Sequence, residues 1–172
     1  MSIPAEITEL EAELQPQLKP CLPKELRSST TFLLARVGIA IKMQVMAEFE
    51  REGCGIYEYS VLAILGEGAQ KTQAAIADAV GVDRSQLVHV LDELEADGFV
   101  ERKRDPKDRR RHEVSITAEG KRHLVSLRST VKRIEQTFLE PLDDEARKAL
   151  HETLLRVACN FDPRYAPPVS LP

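Results

Sequence analysis

Arg84, Ser85, Gln86 and His89 crowd one short stretch of the chain, and farther along Lys107 and Asp108 lead into Arg109, Arg110 and Arg111. The first group consists of hydrogen-bonding side chains long enough to reach base edges in a DNA major groove. The second is a cationic cluster suited to phosphates and to a narrow minor groove. Each has a plainer reading when taken alone, as a capped surface helix and as a solvated charge run. Charge distribution favours the first pair of readings. From Glu101 to His112 there are seven basic and three acidic residues, a net of +4, whereas the whole chain is formally −4, so the remainder carries −8. A basic loop beside a reading helix on an otherwise acidic chain is best explained as a nucleic-acid contact.

These residues need elements that hold them. Helical periodicity runs from Gln73 to Val80, breaks at Gly81-Val82, and resumes after Asp83 through Leu94. Ala77 offers no bulk where the second helix crosses, Gly81 can take the positive φ of a sharp helix exit, and Leu87 points back into the crossing. Asp83 stands three residues before Gln86, a capping-box spacing that starts the second helix there. Leu87, Val90, Leu91 and Leu94 then form its buried stripe, which leaves Arg84, Ser85, Gln86 and His89 outward. Gly98 closes the helix, Phe99–Lys103 reads as a strand, Arg104–Arg111 as a loop, and His112–Ile116 as the return strand.

The run Ile76-Ala77 through Gly81-Val82, Ser85, Leu91-Asp92-Glu93-Leu94-Glu95-Ala96-Asp97-Gly98-Phe99-Val100-Glu101-Arg102, Asp105-Pro106-Lys107-Asp108-Arg109-Arg110 and Ile116-Thr117-Ala118-Glu119-Gly120 resembles the winged helix-turn-helix core of the multiple antibiotic resistance regulator (MarR) family. The resemblance implies that Arg110 enters the minor groove, braced by Asp108. Val88 and His89 stand where many members carry longer or hydroxylated side chains, a departure that bears on operator sequence rather than on binding mode.

With 172 residues, 42% of them apolar, the chain has the size of one domain with a real core and short extensions. No segment reaches the apolar length needed to cross a bilayer, and Met1–Pro20 lacks a signal-peptide core, so a soluble, cytoplasmic protein without a membrane partner is expected. Leu26–Phe49 reads as one long helix, apolar nearly all round. A helix beginning near Thr117 carries Leu124, Leu127, Val131, Ile134 and Phe138 as a packing seam and is ended by Pro141. Another, capped at Asp143, presents Ala146, Leu150, Leu154, Val157 and Phe161 on one face and stops before Pro163. One monomer offers few partners for so many apolar faces, so these helices are expected to pair two copies, as the resemblance also implies. The alternative is an ordinary helical core. The expected fold is mainly α with a small β wing, a winged helix-turn-helix domain flanked by N- and C-terminal dimerisation helices. Its segments are an N-terminal extension (1–24), an N-terminal dimerisation helix (25–56), the DNA-binding domain (57–117), C-terminal dimerisation helices (118–162) and a Pro-containing tail (163–172).

The function expected is that of a homodimeric regulator bound to a palindromic operator in double-stranded DNA, a repressor released by a small ligand. By the resemblance, that ligand is a small anionic aromatic molecule held where the first, second and fifth helices meet the winged domain. Arg36, a cation within the apolar stretch of the first helix, with Tyr57 and Tyr59, would clamp such a carboxylate. As a surface ion pair and amphipathic core edges, the same residues have a plainer role. Two alternatives remain, a thiol-based redox regulator and a winged-helix protein-interaction module without DNA binding. The peroxide-sensing position of the family is Thr31 here, and Cys21, Cys54 and Cys159 lie at no disulfide or metal spacing. His89, His112, His123 and His151 are scattered, so no metal or other cofactor is expected. Enzyme signatures such as a Gly-rich phosphate loop, Gly-x-Ser-x-Gly or His-Glu-x-x-His are missing.

Overall fold

The computed structural model describes residues 21–68, 71–104 and 112–166. The chain divides into two units, Met1–Ile39 and Ala40–Pro172. The first contains helix α1 (Lys24–Ser28) and the beginning of α2 (Thr30–Arg51). The continuous helix expected from Leu26 is therefore interrupted. Ser29 is extended, with φ −88° and ψ 111°, and its hydroxyl accepts from the Phe32 N–H at 3.2 Å. A serine that hydrogen-bonds the backbone ahead of it starts a new helix instead of continuing the old one. In this unit Leu33, Leu34, Val37 and Ile39 are each about half exposed.

In the second unit α2 ends, and α3 (Ile56–Leu65), strand β1 (Lys71–Thr72), α4 (Gln73–Val80) and α5 (Arg84–Ala96) follow. Next come β2 (Val100–Arg104), β3 (His112–Ile116), α6 (Ala118–Phe138), α7 (Asp144–Phe161) and a single 3₁₀ turn at Pro163–Tyr165. The strands form one antiparallel sheet in the order β1-β3-β2, with Val100 opposite Ile116 and Arg102 opposite Val114. The first wing strand thus begins one residue later than the sequence pattern suggests.

In this unit one core receives the end of α2, helices α3 to α6 and the wing strands β2 and β3. Val61, Leu62 and Leu65 of α3 lie at its centre, surrounded by Phe49, Ile76, the α5 stripe Leu87, Val90, Leu91 and Leu94, Val100 and Val114 of the wing, and Leu124 and Leu127 of α6. Each fully buried side chain of this kind contributes about 1.5–3 kcal/mol. The end of α2 is joined to α6 by polar contacts as well. Glu52 accepts from Thr130 Oγ1 at 2.6 Å and from Ser126 Oγ at 3.1 Å, and Arg133 donates to Glu48 at 3.1 Å.

The seam on α6 corrects one expectation. Leu124, Leu127 and Ile134 are 2%, 0% and 1% exposed, so they are covered within a single chain and need no second copy. Helix α7, by contrast, buries none of its residues. It exposes Leu154, Leu155, Val157 and Phe161, the last at 87%. Its cap is as expected, with Asp143 accepting from the Ala146 N–H at 2.8 Å.

Two positive-φ glycines make the sharp exits. Gly81 (φ 78°) lets the chain leave α4 and enter α5, and Gly98 (φ 74°) turns it from α5 into the wing. At the wing's other end Thr117 does three things. Its hydroxyl donates to Gly98 O at 2.8 Å and lies 3.2 Å from Phe99 O, and it accepts from the Gly120 N–H at 3.0 Å. Gly120 has a steric reason. A Cβ there would run into the Phe99 carbonyl oxygen and stand 2.9 Å from Ile116 Cγ1. Gly120→Ala should therefore lower stability by about 1–3 kcal/mol through overpacking against backbone. Thermal melting followed by circular dichroism should show a fall of about 2–4 °C per kcal/mol. An unchanged melting temperature would remove this contact from the account.

Candidate nucleic-acid interface

The start of α5 is fixed by its cap. Asp83 Oδ1 accepts from the Gln86 N–H at 2.8 Å and from the Ser85 hydroxyl at 2.5 Å. The Ser85 hydroxyl, followed by the Gln86 N–H, holds the Asp83 carboxyl below its ordinary range. In this capped state Ser85 gives its proton to Asp83 and has only acceptor capacity to offer a partner. The cap is therefore formed with Ser85 as a second donor to Asp83, and not with a reciprocal bond from the Gln86 side chain.

Beyond the cap, α5 sorts its residues by face. Arg84, Ser85, Val88 and His89 are exposed and Gln86 is partly so, while Leu87, Val90, Leu91 and Leu94 are buried. Hence Arg84, Ser85, Gln86 and His89 come together at the N-terminal half of one helix, the end whose dipole favours anions. His89 Nε2 lies 3.3 Å from Glu93 Oε1, one turn on.

The wing is anchored to this helix by a residue that sequence reasoning counted only as positive charge. Arg102 on β2 donates through Nε to Glu95 Oε2 at 2.9 Å and lies 2.7 Å from Asp92 Oδ1 through its terminal nitrogen. Its own backbone N–H reaches Glu95 Oε1 at 3.2 Å. The Arg102 hydrogen bond is the largest cause holding the Glu95 carboxyl below its ordinary range. Lys103 pairs with Glu101 at 2.8 Å. Two of the seven cations of the basic segment are thus neutralised locally. The sequence carries only a trace of this, two carboxylates three apart on α5 and an arginine past Gly98, a spacing that does not by itself pair them. Lys107, Asp108, Arg109, Arg110 and Arg111 lie outside the described residues.

The proposed effector residues belong to different units. Arg36 is exposed and belongs to the first unit. In the second, Tyr59 packs its ring 5.0 Å from that of Phe49 and Tyr57 is 41% exposed. Neither tyrosine lines the cavity of about 910 Å³ in this unit, whose walls come from α2, the 53–55 turn, α3, the end of α5, Phe99 and His123. Cys54 lies on that wall, and burial, followed by the charges of Glu58 and Glu52, pushes its thiol up to about 12. A thiol so far from ionisation is a poor redox sensor. Among the described residues no group of three or more His, Cys, Asp or Glu is placed to hold a metal, and no helix is long and apolar enough to cross a membrane.

Comparison with known proteins gives a consistent picture. The model of the MarR family matches residues 56–112. A putative transcriptional regulatory protein for the hcr operon of Thauera aromatica is 34% identical over 99 residues, 58% of this chain and 60% of that protein. A solved MarR-family transcriptional regulator from Rhodococcus sp. RHA1 is 31% identical, with a TM-score of 0.68 over 79% of this chain and 96% of that one. CouR from Rhodococcus jostii RHA1, bound to p-coumaroyl-CoA, is 32% identical, with a TM-score of 0.65 over 79% and 96%. The transcriptional repressor CouR bound to a 23-mer DNA duplex is 28% identical, with a TM-score of 0.71 over 81% and 99%.

Arg102→Ala should free the wing from α5. It is expected to cost about 1 kcal/mol of stability, as a partly exposed ion pair does, and to weaken binding to duplex DNA at low salt. Arg102→Lys should recover only part, since an ammonium cannot reproduce the forked contact. Full affinity in the alanine variant, measured by fluorescence anisotropy, would show that the tie does not position the wing.

Proposed function

We propose that this chain, which belongs to the MarR family of transcriptional regulators, acts as a homodimer that binds a palindromic operator and represses transcription until a small-molecule effector releases it. The observation that carries this reading is the cluster Arg84, Ser85, Gln86 and His89, outward on a helix whose opposite face is fixed in the core and whose flank is tied to a basic hairpin. Gln86 and Arg84 have the donors and acceptors to read base edges, and His89 extends the same face. Ser85, its proton committed to Asp83, offers an acceptor to a base-edge donor. Lys107, Arg109, Arg110 and Arg111 supply phosphate and minor-groove contacts, with Asp108 orienting Arg110.

Dimerisation follows from what one reading helix can do. It covers only a few base pairs, and two helices about 34 Å apart meet successive major grooves on one face of the duplex. The exposed apolar residues of α7, and separately those of the first unit, are surfaces that such an assembly would cover. CouR, solved both as a DNA-bound repressor and with p-coumaroyl-CoA, supports repression and effector release as the mode of regulation.

The wing provides the test. Arg110→Ala should weaken binding to every duplex alike and reduce the slope of log affinity against log salt by about one unit per lost phosphate contact, with thermal stability unchanged. Full affinity with an unchanged slope, measured by anisotropy across a salt series, would take Arg110 out of the contact set.

A further inference from the structure

We infer that the cavity at the C-terminal end of α5 binds a molecule with an aromatic body and a cationic head, an ammonium or amidinium, and that this is the effector class of the regulator. The effector clause rests on the function proposed above, whereas the binding itself does not.

The cavity, about 910 Å³ in volume, is of a size that encloses small ligands. Its apolar wall is made by Met43, Met46, Ile56, Leu94 and Phe99. Thioethers adapt to irregular ligands, and Phe99 is stacked on His123 with ring centroids 4.3 Å apart and an interplanar angle of 10°. His123 Nε2 is buried and has no hydrogen-bond partner among the described residues. A buried ring nitrogen left unpaired is a place where a ligand's polar group gains a bond at no cost to an existing one.

The ionic lining has one sign. Glu50, Glu58, Glu93 and Asp97 line the cavity, and no lysine or arginine is among the described lining residues. An aromatic carboxylate would have to leave water for a wall of like charge, which disfavours it doubly. Glu58 and Glu93 sharpen the preference. Burial raises the Glu58 carboxyl above its ordinary value, and a hydrogen bond with Glu93 raises it further. Negative charge on one disfavours it on the other, and a ligand cation beside them would relieve that repulsion. Gly55 permits this arrangement, because a Cβ there would meet the Glu58 carboxylate directly. Since Glu93, Leu94, Ala96 and Asp97 belong to the end of α5 and its cap, an occupant would touch the reading helix at the end opposite its DNA face. Differential binding to two positions of that helix is what effector release requires.

The intact protein can be titrated by calorimetry and by thermal melting with 2-phenylethylammonium, with neutral 2-phenylethanol and anionic 3-phenylpropanoate as controls of similar size. The ammonium should raise the melting temperature and bind at least about tenfold more tightly than either control, a difference expected of one charge-assisted contact. Glu58→Gln and, independently, Gly55→Ala should each erase most of that preference while leaving duplex binding without ligand intact. No binding of the ammonium, equal binding of all three probes, tighter binding of the carboxylate, or a preference that survives in both folded variants would overturn the assignment. Repeating the titration with a bound duplex separates the two claims. Ammonium binding with DNA release supports both, and binding without release keeps the ligand class while overturning its role as effector.

Discussion

A helix that reads DNA can bury only one of its faces, and the rest of the second unit is organised around that constraint. On the proposed reading helix α5 leaves Arg84, Ser85 and His89 in solvent for DNA, so its seat in the core depends on the opposite face, Leu87, Val90, Leu91 and Leu94. Four such side chains together contribute on the order of 6–12 kcal/mol of burial, enough to fix the helix only if every neighbour receives them well. That explains α3, a short helix apolar on several sides with Val61, Leu62 and Leu65 at the centre of the core. It also explains why Leu124 and Leu127 of α6 face inward, leaving exposed apolar surface to α7 instead.

The wing depends on the same helix. Arg102 is held by Asp92 and Glu95 from the solvent side of α5, while Thr117 fastens the wing's exit to the carbonyls of Gly98 and Phe99. Reading helix and hairpin therefore form one body with two anchors. At the helix's far end Glu93 and Asp97 face the acidic cavity, so a ligand there and DNA at the other end would act on the same rigid element. The coupling needs no long route through the molecule.

Much of this was legible in the sequence because the deciding interactions are local. Asp83 as a cap, Gly81 and Gly98 as exits, the α5 stripe and the start of α6 near Thr117 are set by residues within a turn or two of one another, and the structure has each where the pattern puts it. Pairings set by tertiary geometry were not legible. The α6 seam has the same spacing whether it meets a second copy or its own core, and only the fold decides for the core. Arg102 reads as one more wing cation until Asp92 and Glu95 are seen beside it. Ser29 reads as helix interior until its side chain is found capping α2. The acidic cavity left no motif at all, because its carboxylates come from α2, α3 and α5 and converge only after packing.

The central claim is that two copies of α5 and its wing read one duplex symmetrically. Hydroxyl-radical footprinting of the native protein on duplexes selected from a random pool tests it most directly. The account predicts two protected tracts on one face of the duplex, centred about 34 Å apart, one helical turn, in inverted repeats of a common half-site. A single protected tract without dyad symmetry, or no duplex retained even at low salt, would contradict it.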